Sequence, residues 1–115
     1  MTLKIYHNPR CSKSRQTLQL IEASGADVDV ALYLNDPLSA SDIKALLKKL
    51  GFSDARQLIR RGEAIYKELN LKAESDQNAL IEAMAAYPKL IERSIVVKGN
   101  HAVLGRPPEN VAKFL

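Results

Sequence analysis

The sequence predicts an α/β fold in which a mixed sheet packs against helices. A strand, a helix and a second strand follow one another within the first 34 residues, a βαβ unit whose two strands run parallel. Two further strand patterns, separated by a Gly-Asn turn, are followed by a short helix at the end of the chain. Helical patterns fill the region between these two units.

The first unit is predicted from hydrophobic spacing and from residues that end helices. Its helix is expected to pack through Leu18, Leu20 and Ile21 and to end at Gly25. Every other residue from Val28 to Leu34 is apolar, which predicts a strand with one buried face. The predicted bounds are 3–7 for the first strand, 12–24 for the helix and 28–34 for the second strand.

The central region is predicted to be helical throughout. Its first helix has Ser39 or Ser41 as N-cap and Gly51 as the residue that stops it. Its last helix is expected to be capped by Ser75 and to close before Pro88. The predicted helical segments are 39–51, 53–62, 63–71 and 75–88.

The last part of the chain predicts a β-hairpin followed by a short helix. Two strand patterns in SIVVKGNHAVLG flank Gly99-Asn100, a two-residue turn signal, and RPPENVAKFL has prolines in the first turn of its helix. The order β-α-β, helices, β-β-α is the thioredoxin-like arrangement. We therefore expect a single domain over residues 1–115, with a helical insertion at about 39–88 between its halves.

Composition narrows the classes of function. The formal charge is +4, but basic residues are dispersed and only four tyrosines and two phenylalanines could stack on bases, so nucleic-acid binding is not expected. The apolar runs are too short for a membrane span, and the first residues lack a signal-peptide layout. A single cysteine excludes an internal disulfide. These observations predict a cytoplasmic protein.

The stretch LKIYHNPRCSKSR places that cysteine, Cys11, in a polar loop between the first strand and the first helix. The positive end of a helix and nearby cations stabilise a thiolate, and Arg10, Lys13 and Arg15 lie within four residues of Cys11. This placement favours a reactive thiol over a small buried hydrophobe. His7, at the end of the strand, is equally compatible with a structural and an electrostatic role.

Several other cysteine motifs are excluded by spacing. The third residue after Cys11 is Ser14, so the chain has no C-x-x-C motif and cannot run a dithiol cycle within this loop. The sixth residue after Cys11 is Thr17, which excludes a C-x5-R phosphatase loop. One cysteine and two histidines far apart are too few ligands for a zinc site, so no metal is expected.

The motif YHNPRCSKSR, together with the later IERSIVV and GRPPE, resembles the ArsC family, the glutaredoxin-coupled arsenate reductases and their near relatives. The resemblance covers essentially the whole chain, in the same motif order. It implies that Cys11 attacks arsenate to form a covalent adduct, that glutathione reacts with this adduct, and that glutaredoxin, a transient partner, resolves the mixed disulfide and arsenite is released. Glutathione would be a co-substrate, and no bound cofactor is implied.

The resemblance also implies roles for residues around the thiol. His7 matches a histidine that helps to lower the thiol pKa, and Ser14 matches a serine that donates a hydrogen bond to the thiolate. The implied oxyanion ligands are three arginines: Arg60, Arg93 and Arg106. Guanidinium groups suit a tetrahedral oxyanion because they offer paired N–H donors and keep their charge. Without the resemblance, each arginine is more often a surface or helix-end residue.

Several alternatives are left open by the sequence. Ser94 stands where the family usually has a proline, so the isomer of the Arg93–Ser94 bond is open, as is the choice between Arg60 and Arg61 at the site. The chain ends soon after GRPPE, like the short chromosomal relatives whose substrate is often unknown. A thiol oxidoreductase acting on a glutathionylated substrate is the first alternative. A regulator that binds RNA polymerase is disfavoured because Ser14 replaces a second cysteine. We expect a monomer.

Overall fold

The computed structural model describes residues 2–92, 94–105 and 107–115. The chain divides into two compact units. The sheet unit comprises Met1–Asp36 and Arg93–Leu115, and the helical unit comprises Pro37–Glu92. The single domain with an insertion at about 39–88 stays a prediction.

The sheet unit contains a four-stranded mixed sheet, as predicted. The strand order is β2-β1-β3-β4, in which β1 runs parallel to β2 and antiparallel to β3, and β4 is antiparallel to β3. Buried and less buried residues alternate along β1, as expected for a strand whose side chains point to opposite faces of the sheet. The strands span Leu3–Tyr6 (β1), Val28–Ala31 (β2), Ile95–Lys98 (β3) and His101–Leu104 (β4), and the first helix, α1, spans Ser12–Ala23.

The core of the sheet unit is built from branched aliphatic side chains of β1, β3, β4 and α1. Each of these large side chains contributes roughly 1.5–3 kcal/mol when it leaves water. A 3₁₀ helix at Pro108–Phe114 also contributes Val111 to this core. The buried members of the cluster are Leu3, Ile5, Ile21, Val96, Val103 and Val111.

Two details of the predicted apolar faces are wrong. Leu20 is 40% exposed, because it lies about 100° around the helix from the buried Ile21. The second strand ends at Ala31, and the backbone turns where the amide of Asn35 donates to the carbonyl of Leu32. The predicted buried face already fails within the strand, where Val30 is 42% exposed, and after the turn Tyr33 is buried whereas Leu32 is exposed.

The hairpin of β3 and β4 is confirmed. Lys98 pairs with His101, which leaves Gly99 and Asn100 as the two-residue turn. Gly99 has a φ of +62°, a left-handed conformation that glycine adopts without steric cost and that such tight turns require.

The helical unit begins with α2, which spans Ala40–Leu50. Of the two predicted N-caps, the structure selects Ser39: its hydroxyl accepts from the amide of Asp42, and the Asp42 carboxylate accepts from the amide of Ser39. Gly51, with a φ of +76°, ends the helix as predicted.

The helices in the rest of the helical unit are shorter than predicted. The segment predicted at 53–62 forms only a short 3₁₀ helix, Ala55–Leu58, because Ile59 then pairs with Ile91 in an antiparallel bridge. The predicted cap Ser75 is wrong: Asp76 caps α4, and its carboxylate accepts from the amide of Asn78. The remaining elements are α3 (Ala64–Glu68), α4 (Gln77–Ala86) and 3₁₀ helices at Leu71–Ala73 and Pro88–Leu90. Across the described residues, none of the helices has the length and apolar character needed to cross a membrane.

Candidate active site

Cys11 lies at the amino end of α1, as the sequence predicts. It is the N-cap residue, in an extended conformation with φ −96° and ψ 122°, and it is partly exposed. Its amide donates to the carbonyl of Asn8 at 3.0 Å, which closes a tight turn after β1. Its own carbonyl accepts from the amide of Arg15 at 3.0 Å, the first hydrogen bond of the helix. The thiol is therefore carried by a backbone that is fixed on both sides.

The surroundings of Cys11 are electropositive. The first turn of α1 contains no acidic residue, so the partial positive charge of the helix end is not offset there. Arg10, Lys13 and Arg15 are exposed around this turn, and the Arg15 Nη1 donates to the carbonyl of Pro9 at 2.9 Å. A helix end and cations of this kind favour the thiolate over the thiol.

A buried polar pair lies behind the loop. The Nδ1 of His7 is 2.7 Å from the Oγ of Ser14, and the amide of Asn8 donates to the same Oγ at 3.1 Å. Ser14 is fully buried and His7 nearly so. Spacing alone did not indicate this contact, because the two residues are seven positions apart on different elements.

The pKa of His7 lies below its ordinary value of 6.5, chiefly because burial disfavours the charged ring. The charge of Arg15 lowers the pKa further, and Glu22 opposes these effects. A neutral imidazole is therefore favoured near neutral pH. His7 then acts on the loop through its hydrogen bond rather than through a permanent positive charge.

The amino end of α1 is anchored to the segment after β4. The single hydroxyl proton of Thr17 is shared between the carbonyl of Lys13 at 2.8 Å and the carbonyl of Gly105 at 3.1 Å. The amide of Gly105 donates to the carbonyl of Ser94 at 2.7 Å. A Cβ at position 105 would lie 2.5 Å from the Oγ of Ser94 and 2.6 Å from the Oγ1 of Thr17, so only glycine fits this approach.

The contact between Thr17 and Gly105 was not predicted from the sequence. Gly105 is the first residue of the GRPPE motif, and a glycine there is a possible sign of close packing. Ser94 is fully buried, and its Oγ has no hydrogen-bond partner among the described residues. This hydroxyl occupies the position where a proline was expected from the family resemblance.

The structure describes one of the three predicted oxyanion ligands, Arg60. Arg93 and Arg106 lie outside the described residues. Arg60 belongs to the helical unit, where its amide donates to the carbonyl of Leu90 at 2.7 Å and its Nε lies 3.3 Å from the Oε1 of Glu63. Convergence of the arginines on Cys11 stays a prediction. Within the described ranges, no group of three or more His, Cys, Asp or Glu side chains could hold a metal ion.

The mixed sheet and the single cysteine at the amino end of α1 define a thioredoxin-like α/β protein with one thiol. The chain belongs to the ArsC family, whose model matches residues 6–114.

Comparison with individual proteins agrees with this assignment. The chain is 44% identical over 116 residues to an arsenate reductase of Haemophilus influenzae, with all of both chains covered. It is 52% identical over 114 residues to an uncharacterized Escherichia coli protein, YfgD, covering 98% of this chain and 96% of the relative. The structure of an arsenate reductase from Vibrio cholerae superimposes with a TM-score of 0.96 at 47% identity, covering 100% of this chain and 98% of the other.

Proposed function

We propose that this chain reduces arsenate, with Cys11 as the nucleophile and with glutathione and glutaredoxin as the external reductants. The observation that carries the proposal is the position of Cys11 as N-cap of α1 in a cationic loop, backed by the buried His7–Ser14 pair. Full-length relatives named arsenate reductase support arsenate as the substrate.

In the first step, the thiolate of Cys11 attacks the arsenic atom and one oxygen leaves as water after protonation. A thiolate and a largely dianionic arsenate repel one another, so cations must offset this repulsion. The helix end and the basic residues of the loop supply part of that charge. In this proposal, Arg60, Arg93 and Arg106 supply the remainder through paired N–H donors.

In the second step, the thiol of glutathione attacks the sulfur of Cys11, the bond between sulfur and arsenic breaks, and arsenite leaves. Arsenic gains two electrons, and the two thiols lose them as they form one mixed disulfide. Because the chain has a single cysteine, an external thiol is required for this step. Glutaredoxin then accepts the glutathionyl group, which returns Cys11 to the thiol.

The buried pair has a defined part in this scheme. The Oγ of Ser14 already accepts from the amide of Asn8, and we assign His7 the tautomer that donates from Nδ1 to the same oxygen. With two donors pointing at it, the hydroxyl of Ser14 is left to donate its own proton to the thiolate of Cys11. A neutral His7 thus acts as a positioning residue through Ser14.

The test is arsenate-dependent oxidation of NADPH, coupled through glutathione reductase and glutaredoxin. We expect turnover in the native protein and its loss in Cys11→Ser, with circular dichroism confirming that the variant is folded. When glutaredoxin is omitted, mass spectrometry should find one glutathionyl group on Cys11.

Absence of arsenate turnover in the native protein would contradict the proposal. If the protein instead removes glutathione from a glutathionylated thiol, the same Cys11 chemistry serves a different substrate. The two assays share all reagents except the substrate, so they separate these outcomes directly.

A further inference from the structure

The helical unit contains a cavity of about 640 Å³ whose walls are unusually basic. Cavities of this size are typical of small-molecule sites. Four of its described lining side chains are cations, and none of the described lining residues carries a carboxylate. These residues are Arg56, Arg61, Tyr66, Lys67, Asn70 and Lys72. The proposed function assigns none of them to arsenate; Arg61, the alternative to Arg60 in the sequence analysis, lines this cavity.

The positive charge of this cavity is only partly offset by the protein. Arg61, Lys67 and Lys72 are exposed on its walls and repel one another. Asp54 is a carboxylate close to the cavity, and its pKa is lowered mainly because it accepts a hydrogen bond from the amide of Arg56. The same Asp54 oxygen accepts from the side chain of Gln77, so this carboxylate is engaged in capping the 3₁₀ helix.

Arg56 gives the cavity a fixed donor. Its Nη2 donates to the carbonyls of Leu71 and Glu74, which holds the guanidinium in one orientation. Arg56 also lines the cavity, so its guanidinium presents a fixed positive charge to an anion there. Because the guanidinium is already ordered by the two carbonyls, little conformational freedom is lost on binding.

We propose that this cavity binds a small anion carrying two linked phosphate groups, through Arg56, Arg61, Lys67 and Lys72. One tetrahedral anion would contact only some of four cations spread over a cavity of this size, whereas a diphosphate presents more charge over a longer span. Among the described lining residues, Tyr66 is the only aromatic side chain and is itself buried, so the site offers little surface for a stacked base. The proposal concerns the helical unit and is independent of the arsenate chemistry.

The test is calorimetric titration of the full-length protein with inorganic pyrophosphate at about 0.15 M salt, where charges farther apart than about 8 Å are largely screened. Inorganic phosphate is the comparison ligand. The variant is the double substitution Lys67→Ala and Lys72→Ala. The matched control is Lys44→Ala with Lys48→Ala, which removes the same charge from exposed positions of α2 in the same unit.

We expect one pyrophosphate to bind saturably, at least tenfold more tightly than phosphate. Affinity should fall at least tenfold in the cavity variant and less than twofold in the control. In NMR spectra, the Nε–H resonance of Arg56 should shift as pyrophosphate is added. The proposal is overturned by absence of saturable binding at millimolar concentration, by equal losses in both double variants, or by stoichiometric displacement of pyrophosphate by arsenate. In Cys11→Ser, binding should be retained even if arsenate turnover is never observed.

Discussion

Replacement of Ser14 by alanine tests the polar pair behind the thiol. The fully buried hydroxyl of Ser14 accepts from the amide of Asn8 and pairs with the Nδ1 of His7. Without it, two buried polar groups lose a partner at roughly 1–3 kcal/mol each, while the higher helix propensity of alanine recovers a few tenths of a kcal/mol. We expect the free energy of unfolding to fall by about 2–5 kcal/mol. Because small domains have only about 5–15 kcal/mol of stability, circular dichroism must confirm that the variant is folded.

The same substitution should raise the pKa of Cys11. A hydrogen bond to a charged group contributes about 1.5–3 kcal/mol, and about 1.36 kcal/mol corresponds to one pKa unit. If Ser14 donates to the thiolate, its loss should therefore raise the thiol pKa by about 1–2 units. The measurement is the rate of alkylation of Cys11 by iodoacetamide as a function of pH. In the native protein, we expect a pKa below the ordinary value of about 8.5.

The control is Ser41→Ala, the same chemical change at an exposed position of α2. It should change stability by less than about 0.5 kcal/mol and leave the thiol pKa unaltered. A destabilised Ser14→Ala protein with an unchanged Cys11 pKa would show that the hydroxyl only holds the loop. In that case the assignment of His7 and Ser14 to thiolate stabilisation is wrong.

Other contacts give three further predictions. Because the pKa of His7 is lowered by folding, the unfolded chain binds more protons, so the free energy of unfolding should fall as pH drops below about 6.5. His7→Gln should flatten this dependence, and an unaltered dependence in that variant would contradict the lowered pKa. Ser94→Ala removes a buried hydroxyl that has no hydrogen-bond partner among the described residues, so it should raise the free energy of unfolding by about 1 kcal/mol, measured by thermal unfolding. A decrease of about 1 kcal/mol would show that the hydroxyl does have a partner. Glu63→Gln removes the carboxylate 3.3 Å from the Arg60 Nε. If Arg60 binds arsenate, as we propose, this change should lower the KM for arsenate about two- to fivefold, because the partly exposed pair is worth at most about 1 kcal/mol. The same effect from Glu68→Gln, also on the helical unit, would indicate net charge alone.

The parts of the fold that could be predicted are those whose signals are local. The hairpin was predicted because its turn needs only Gly99 and Asn100, and the start of α1 because a polar loop meets a helical pattern there. The buried face of β2 could not be predicted in the same way. Its alternation continues to Leu34, but β2 is an edge strand of the described sheet, and Val30 is exposed within it. The chain then turns at Leu32.

The same distinction applies to the candidate site. The position of Cys11 beside cations at a helix end could be predicted because these features lie within a few residues of it. The hydrogen bond between His7 and Ser14 depends on the path of the loop between β1 and α1, which residue spacing does not encode. The hydrogen bond from Thr17 to Gly105 joins residues 88 positions apart, and no local pattern predicts it.

The long-range contact between Thr17 and Gly105 holds the short motif around Cys11 in place. The polar groups described around Cys11 lie within a few residues of it. A loop in water samples many conformations, so hydrogen-bond donors on such a loop would stabilise an anion only weakly. Thr17 ties the first turns of α1 to Gly105, and Gly105 is itself held by Ser94 beside the central strands. The donors at the helix end are thereby fixed before an anion arrives, which is the condition under which such donors stabilise developing charge most strongly. The motif supplies the reactive groups, and the packing of α1 against the rest of the sheet unit keeps them in place.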